Sequence, residues 1–207
     1  MYKLRFYFSK ADEVKYVGHL DTIELFDRAF RRAKLPISFS EGFNPRPKLT
    51  FAHPLAVGIS SNEEIGEVEL SEKILKQDFI SKLNNALPNP IRIINAEYVE
   101  EKKSLMSLVK SAEYTLQIDD DFVTSDNIEE MLNKTSIEIE KTSKSGKTSI
   151  IDIKPLILSW EWSKKENKTF RVDLVTGSSD NLRPDTIIKL FGDVGKYKII
   201  REKININ

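Results

Sequence analysis

The 207-residue chain contains no cysteine and only two histidines, His19 and His53. The lack of cysteine excludes disulfides, a thiol nucleophile and any iron–sulfur cluster held by this chain's own thiolates. Two histidines without cysteine also argue against a dedicated zinc site. We therefore expect the chain to hold no metal and no other cofactor.

Long apolar segments are missing as well. No stretch of the sequence approaches the roughly 18 apolar residues that a membrane-spanning helix needs. The N-terminal residues alternate apolar and polar side chains, as a strand does, and lack the apolar core of a signal peptide. We expect no membrane partner and a cytoplasmic location.

The net charge of the whole chain is zero, but the charges are unevenly placed. Residues 1–60 hold ten Lys or Arg and six Asp or Glu, a net charge of +4 that the remaining residues balance. This asymmetry favours an anionic partner for the first third of the chain. Ordinary solvated surface charge is the alternative explanation.

Hydrophobic periodicity predicts a β-α-β-β-α-β order in the first hundred residues. The first helix carries its apolar residues at intervals of three and four and is stopped by Pro36. The other predicted elements are strands at 2–8, 37–40, 48–52, 66–70 and 91–99, one strand more than this order contains, and a helix at 77–87. The order is that of a ferredoxin-like split βαβ unit, in which two helices cover one face of an antiparallel sheet.

The second half of the chain predicts the same order with an additional hairpin. We expect strands at 112–118, 156–162, 169–174 and 196–204, helices at 127–132 and 184–191, and a hairpin of 136–141 with 148–153 across a turn at 143–147. The predicted fold class is therefore α+β, with two tandem ferredoxin-like domains that have antiparallel sheets. The domains are predicted at 1–100 and 112–207, with a linker at 101–111, for which a short packed helix is the alternative.

The most distinctive segment is the proline-containing stretch at 41–51. Pro45 and Pro47 fix their own backbone and push the preceding residues toward extended conformations. This stiffness indicates a loop that holds side chains at fixed angles. Phe43 could stack on a planar ligand, while Arg46 and Lys48 could hold phosphates. Asn44 completes this group of candidate residues, and a rigid connector with Phe43 in the core is the alternative.

The first helix supplies a second group of candidate residues, Arg28, Arg31 and Arg32. Arg28 and Arg32 are four residues apart and share a helix face, where guanidinium groups could contact phosphates. In the alternative, Glu24 pairs with Arg28 and Asp27 with Arg31, and the face is merely solvated.

His19 precedes this helix and is the weakest of the candidates. The positive end of the helix and the nearby arginines disfavour a charged imidazole, and a neutral imidazole can serve as a general base. A capping or packing role is the alternative. Because no catalytic or metal motif appears elsewhere, we expect a protein that is not an enzyme.

Several of these segments resemble one known family in detail. The matching residues are 15–21 (Lys-Tyr-Val-Gly-His-Leu-Asp), 26–33 (Phe-Asp-Arg-Ala-Phe-Arg-Arg-Ala), 40–52 (Ser-Glu-Gly-Phe-Asn-Pro-Arg-Pro-Lys-Leu-Thr-Phe-Ala), Pro54, Leu55 and Gly58. They resemble the radical-SAM-linked family of bacterial proteins, a domain of unknown function found beside or fused to a radical SAM protein. The resemblance implies a radical SAM protein as partner, since this chain has no cysteine to bind the cluster itself.

Three functions follow as hypotheses. The first is an accessory or substrate-recognition protein for a radical SAM enzyme, which binds structured RNA, such as tRNA or rRNA, through its N-terminal domain. The second is a metal-independent endoribonuclease with His19 as general base and Arg46 or Lys48 stabilising charge. Tandem ferredoxin-like domains resemble the CRISPR repeat-processing endoribonucleases, although the glycine-rich loop of those enzymes is absent here. The third is a protein–protein adaptor.

Overall fold

The structure, a computed structural model, describes residues 1–119, 123–142, 146, 148–163, 169–177 and 180–207. The chain is α+β with mostly antiparallel strands. The strands are β1 (Tyr2–Lys10), β2 (Leu49–Phe51), β3 (Ser60–Leu70), β4 (Ile91–Tyr98), β5 (Val109–Ile118), β6 (Glu138–Thr142), β7 (Thr148–Asp152), β8 (Ile157–Ser163), β9 (Thr169–Val175) and β10 (Tyr197–Ile206). The α-helices are α1 (His19–Arg32), α2 (Lys76–Ala86), α3 (Leu105–Leu108), α4 (Ser125–Leu132) and α5 (Pro184–Lys189).

The chain forms two compact units. The first contains Met1–Lys110 and Ile200–Asn207, and the second contains Ser111–Ile199. The predicted division at 1–100 and 112–207 differs from this one at the C-terminus, because residues 200–207 lie in the first unit. The predicted linker also contains α3 and the start of β5, whose residues Leu105, Leu108 and Val109 are buried. An apolar segment of this kind packs against the protein instead of joining domains through solvent.

In the first unit, β1 lies between β4 and β3 and pairs antiparallel with both. β2 pairs antiparallel with the end of β3, and β10 runs parallel to the start of β3, where Ile200 pairs with Ser60. The core is dominated by phenylalanines that contact one another, namely Phe6, Phe8, Phe26, Phe30, Phe51 and Phe79. Phe6 lies directly opposite Gly66 on β3, and its ring occupies the space that a side chain at Gly66 would need.

Three element boundaries differ from the sequence prediction. The segment at 37–40 forms only two isolated bridges, Ile37 with Leu70 and Phe39 with Pro47; prolines cannot donate the hydrogen bonds that would extend a ladder. The helix α1 ends at Arg32, before Pro36, because Lys34 adopts a left-handed backbone conformation with φ of 51°. β3 begins at Ser60 and not at 66, because its first residues pair with β10 and the buried Glu64 forms an ion pair with Arg201.

In the second unit, β9 lies between β5 and β8 and pairs antiparallel with both. β6 and β7 form a separate antiparallel hairpin. Of the turn predicted at 143–147, only Gly146 lies within the described residues. The start of β10 approaches the end of β5, where the amide of Asp119 donates to the carbonyl of Lys196 at 2.9 Å. Among the helices that the structure describes, none has the length and apolar character to cross a membrane.

Candidate functional site

Hydrogen bonds of backbone groups fix the conformation of the loop at 41–48, and most of its side chains are exposed to solvent. The amide of Ser40 donates to the carbonyl of Arg46 at 2.8 Å, and the amide of Arg46 donates to Oγ of Ser40 at 3.1 Å. Phe43 is fully exposed, with a relative accessible surface of 105%. The alternative in which Phe43 packs in the core is therefore wrong, and Asn44 and Arg46 are exposed beside it.

Arg31 connects helix α1 to this loop. Its Nε donates to Asp27 at 2.7 Å, its Nη2 donates to the carbonyl of Pro45 at 3.3 Å, and its guanidinium lies 4.6 Å from the centre of the Phe39 ring. The helix and the loop predicted as separate candidates are thus brought together by one arginine.

The other predicted cations lie in different surroundings. Arg28 pairs with Glu24 at 3.1 Å, and Nη2 of Arg32 donates to the carbonyl of Ala86 at the end of α2 at 2.5 Å. Arg28 and Arg32 line one open groove beside that helix end. Lys48 pairs with Glu69 at 3.0 Å. The predicted i,i+4 ion pairs of Arg28 and Arg31 are therefore both present, on an exposed surface.

The cavity that His19 lines does not include Arg46 or Lys48. His19 lines this small cavity of about 20 Å³ together with His53, Lys10 and Glu64, and its ring lies 5.9 Å from that of Phe51. The structure therefore offers no support for charge stabilisation by Arg46 or Lys48 next to His19. Its neighbour in the cavity is the second histidine of the chain.

Behind this cavity lies a buried ion pair between Glu64 on β3 and Arg201 on β10. Arg201 Nε donates to Glu64 Oε1 at 2.7 Å, and its Nη2 donates to Oε2 of the same carboxylate. Nη2 also donates to the carbonyl of His53 at 3.1 Å, and Oγ of Ser61 donates to the carbonyl of Arg201 at 3.1 Å. Bidentate geometry and additional hydrogen bonds are what a buried ion pair requires.

Two of the polar residues at the cavity, Lys10 and His53, have lowered pKa values. Burial lowers the pKa of Lys10 from 10.5, the field of Arg201 lowers it further, and Glu64 opposes the shift. Burial also lowers the pKa of His53 from 6.5, again with a contribution from Arg201. Nζ of Lys10 donates to the carbonyl of Val17 at 2.5 Å. We call Lys10, His19, His53, Glu64 and Arg201 the polar cluster.

The sequence predicted only His19 of this cluster. His53 lies between the matching residues 40–52 and Pro54 and is one of only two histidines, which is a signal available from the sequence. Lys10, Glu64 and Arg201 resemble surface residues in the sequence, and only the pairing of β3 with β10 brings Glu64 to Arg201. Among the residues that the structure describes, no group of three or more His, Asp or Glu is placed to hold a metal ion.

Comparisons with known proteins identify the family but no function. No curated protein matches the chain. A chain in the crystal structure of a Cbf5-Nop10-Gar1 complex matches over 96% of this chain with 12% sequence identity and a TM-score of 0.49. This chain covers 48% of that one, about half of its length. The family model described as "Uncharacterized protein conserved in bacteria (DUF2344)" matches residues 3–184, so the chain belongs to that family.

Proposed function

We propose that the protein binds structured RNA through the first unit and acts as an accessory or substrate-recognition protein for a radical SAM enzyme. The observation that carries the proposal is the full exposure of Phe43 beside Arg46, on a loop whose backbone is held in place. An exposed phenylalanine next to a cation is an arrangement on which an unpaired base can stack.

The charges around the loop support the same proposal. Arg31 places the exposed end of α1 next to the loop, and the ion pairs of Arg28 and Arg31 with acidic neighbours are largely exposed. Exposed pairs of this kind contribute about 0–1 kcal/mol, so phosphates can replace the carboxylates at little cost. Phosphate contacts would then position the RNA, and Phe43 would contact a base.

The radical SAM partner rests on the family resemblance of residues 15–58 and on the absence of cysteine from the chain. The chain would present the RNA, and the partner would supply the cluster. This proposal places both proteins in the cytoplasm. It also treats each unit as a ferredoxin-like domain, a proposal supported by the antiparallel order β4-β1-β3-β2 in the first unit and β5-β9-β8 in the second.

The test is fluorescence anisotropy with labelled total tRNA and rRNA fragments over a range of salt concentrations. We expect the logarithm of the affinity to fall linearly with the logarithm of salt concentration. The double variant Phe43→Ala/Arg46→Gln should lose about tenfold or more in affinity, because stacking contributes about 1–3 kcal/mol per base. Tyr197→Ala/Lys189→Gln, which removes an exposed aromatic residue and an exposed cation from the second unit, is the matched control.

The result also separates the alternatives. Affinity that is insensitive to salt, or equal for the double variant and the control, overturns RNA binding at this surface. Discrete cuts in the RNA in EDTA that vanish in His19→Ala favour the endoribonuclease. A radical SAM protein that co-purifies with the chain after nuclease treatment, in the absence of salt-dependent RNA binding, favours the adaptor.

A further inference from the structure

The polar cluster surrounds a cavity of about 20 Å³, which is room for one water-sized group. Its apolar lining residues are Phe8, Phe51 and Leu55, and its polar lining residues are Lys10, His19, Thr22, His53 and Glu64. His19 and His53 are half-buried and so lie between the cavity and solvent. The cavity is therefore a place where a single atom of a larger ligand can enter.

Among the described residues at or next to the cavity, two buried cations, Lys10 and Arg201, accompany the buried carboxylate of Glu64. The relative accessible surface is 2% for Lys10, 4% for Glu64 and 1% for Arg201. Both carboxylate oxygens of Glu64 accept hydrogen bonds from Arg201. Glu64 raises the pKa of Lys10 and Arg201 lowers it, so Lys10 is a second cation next to this ion pair.

Lys10, His19 and His53 also carry N–H groups that can donate hydrogen bonds to an anion in the cavity. The ammonium of Lys10 has three N–H groups, one of which donates to the carbonyl of Val17. The two imidazoles lie at the same cavity and can donate from a ring nitrogen. A buried cation is stabilised best by a paired anion that accepts its hydrogen bonds.

We propose that this cavity is a binding site for one oxygen of an anionic phosphoryl group, held by Lys10 with His19 and His53. The rest of the ligand stays outside, because the cavity admits a single oxygen atom. Glu64 and Arg201 are positioning residues, because Arg201 neutralises the Glu64 carboxylate at the cavity and holds the His53 backbone through its carbonyl. The site is independent of the RNA-binding loop, and the phosphoryl group could belong to a polynucleotide or to a small phosphorylated metabolite.

The test uses the two histidines as reporters, since each contributes one set of imidazole proton resonances to the NMR spectrum of the full chain. Inorganic phosphate is titrated against chloride at constant ionic strength and pH, with His53→Gln to assign the signals. We expect both imidazoles to shift with one saturation curve. A 5′-phosphorylated dinucleotide, its 5′-hydroxyl counterpart and a sugar phosphate then distinguish the two sources of the phosphoryl group.

Lys10→Met is the decisive variant because methionine has a similar length and removes a buried cation without leaving a charge unpaired. We expect it to weaken phosphate binding about tenfold or more, as the loss of a charge-assisted hydrogen bond does. Lys48→Met, which removes an exposed cation of the same unit, should leave the curve unchanged. If Lys10→Met does not fold, His19→Gln, read through His53, replaces it.

Shifts that do not saturate, or a curve that is unchanged in Lys10→Met and in His19→Gln, overturn the proposal. An equal weakening in Lys48→Met also overturns it, since binding would then follow the general charge of the protein. The phosphate curve is independent of RNA. It persists in Phe43→Ala/Arg46→Gln whether or not the loop binds RNA, and it is absent from a wild type that still binds RNA if the cavity proposal alone fails.

Discussion

Two ion pairs on strand β3 contribute differently to the free energy of unfolding, because one is buried and the other is exposed. Glu64 pairs with Arg201, and both side chains are almost fully buried, whereas Glu69 pairs with Lys48 at 3.0 Å with more than a third of each side chain exposed. Breaking a buried pair leaves an uncompensated charge, while an exposed pair is already screened by water.

We therefore expect Glu64→Gln to destabilise the protein by about 3–5 kcal/mol, because Arg201 would be left buried without its carboxylate. Glu69→Gln, a matched change on the same strand, should cost less than about 1 kcal/mol. Urea unfolding followed by circular dichroism measures both. Equal losses in the two variants would contradict the assignment of Arg201 as a buried charge.

His53 gives the stability a dependence on pH. Burial and the neighbouring Arg201 lower the pKa of His53 below its usual 6.5, so the folded state resists a proton that the unfolded state accepts. The free energy of unfolding should fall as the pH drops through the window from about 6.5 down to that lowered pKa, and this contribution is complete above the window.

The measurement is a series of urea unfolding curves between about pH 7.5 and about pH 5 for the wild type and for His53→Gln. The wild type should lose more stability than the variant over this range. Identical slopes would show that His53 is not the group responsible.

The residues of the loop could be predicted from the sequence, but those of the polar cluster could not. Phe43 and Arg46 lie in a local motif whose prolines and glycine restrict the backbone, so sequence alone indicated a rigid loop. Glu64 is buried only because Arg201, 137 positions away, neutralises it. A glutamate in a polar stretch has the pattern of a surface residue, and no local signal contradicts that interpretation.

At the scale of single elements, β3 depends on a glycine. A Cβ placed on Gly66 would lie 2.4 Å from Cζ of Phe6, at the centre of the cluster of phenylalanines. Gly66 therefore allows the ring to lie against the backbone of the neighbouring strand, a close approach that no other residue permits.

Gly66→Ala should destabilise the protein by about 1–3 kcal/mol or more, because the phenylalanine core has to move to admit a methyl group. Gly195→Ala is the control, since an added Cβ there meets no atom within 4 Å. Thermal melting of the two variants is the measurement. A melting temperature of Gly66→Ala close to that of the control would mean that Phe6 can move away freely.

Arg31 gives the loop at 41–48 its connection to helix α1, so Arg31→Gln should loosen the loop without unfolding the protein. Hydrogen exchange of the amides at 41–46 should become faster, while β1 and β4 stay protected. Arg28→Gln, which removes a neighbouring arginine that pairs only along the helix, is the matched control. Equal exchange in both variants would show that the bonds of Ser40 with Arg46 are sufficient to hold the loop.

Elements whose apolar residues recur at a regular interval were predicted from the sequence. Elements that depend on pairing with distant segments of the chain were not. Helices α1 and α2 and strands β1 and β4 carry clear apolar patterns. The segment at 37–40 alternates like a strand, but the prolines on both sides of it limit its pairing to two bridges. Residues 60–64 carry polar side chains like a loop, yet they continue β3, because β10 supplies hydrogen bonds and Arg201.

At the scale of the whole molecule, the last strand ties the chain's end to its first unit. Residues Ile200–Asn207 lie with Met1–Lys110, and Arg201 is the residue of this strand that the first unit needs for Glu64. A division of the chain at the predicted linker would separate these two residues. The first unit is thus built from both ends of the sequence.

A fragment of residues 1–110 should therefore be far less stable than the first unit in the full chain. It would bury Glu64 without Arg201 and leave the start of β3 unpaired, at a cost of about 3–5 kcal/mol from the charge alone. Glu64→Leu should partly restore the fragment, because an apolar side chain of similar size removes the unpaired charge, whereas Glu69→Leu should not. Tryptophan is absent from 1–110, so circular dichroism during urea unfolding is the measurement. If the fragment and its Glu64→Leu variant unfold at the same urea concentration, β10 stabilises the first unit by packing and not through Arg201.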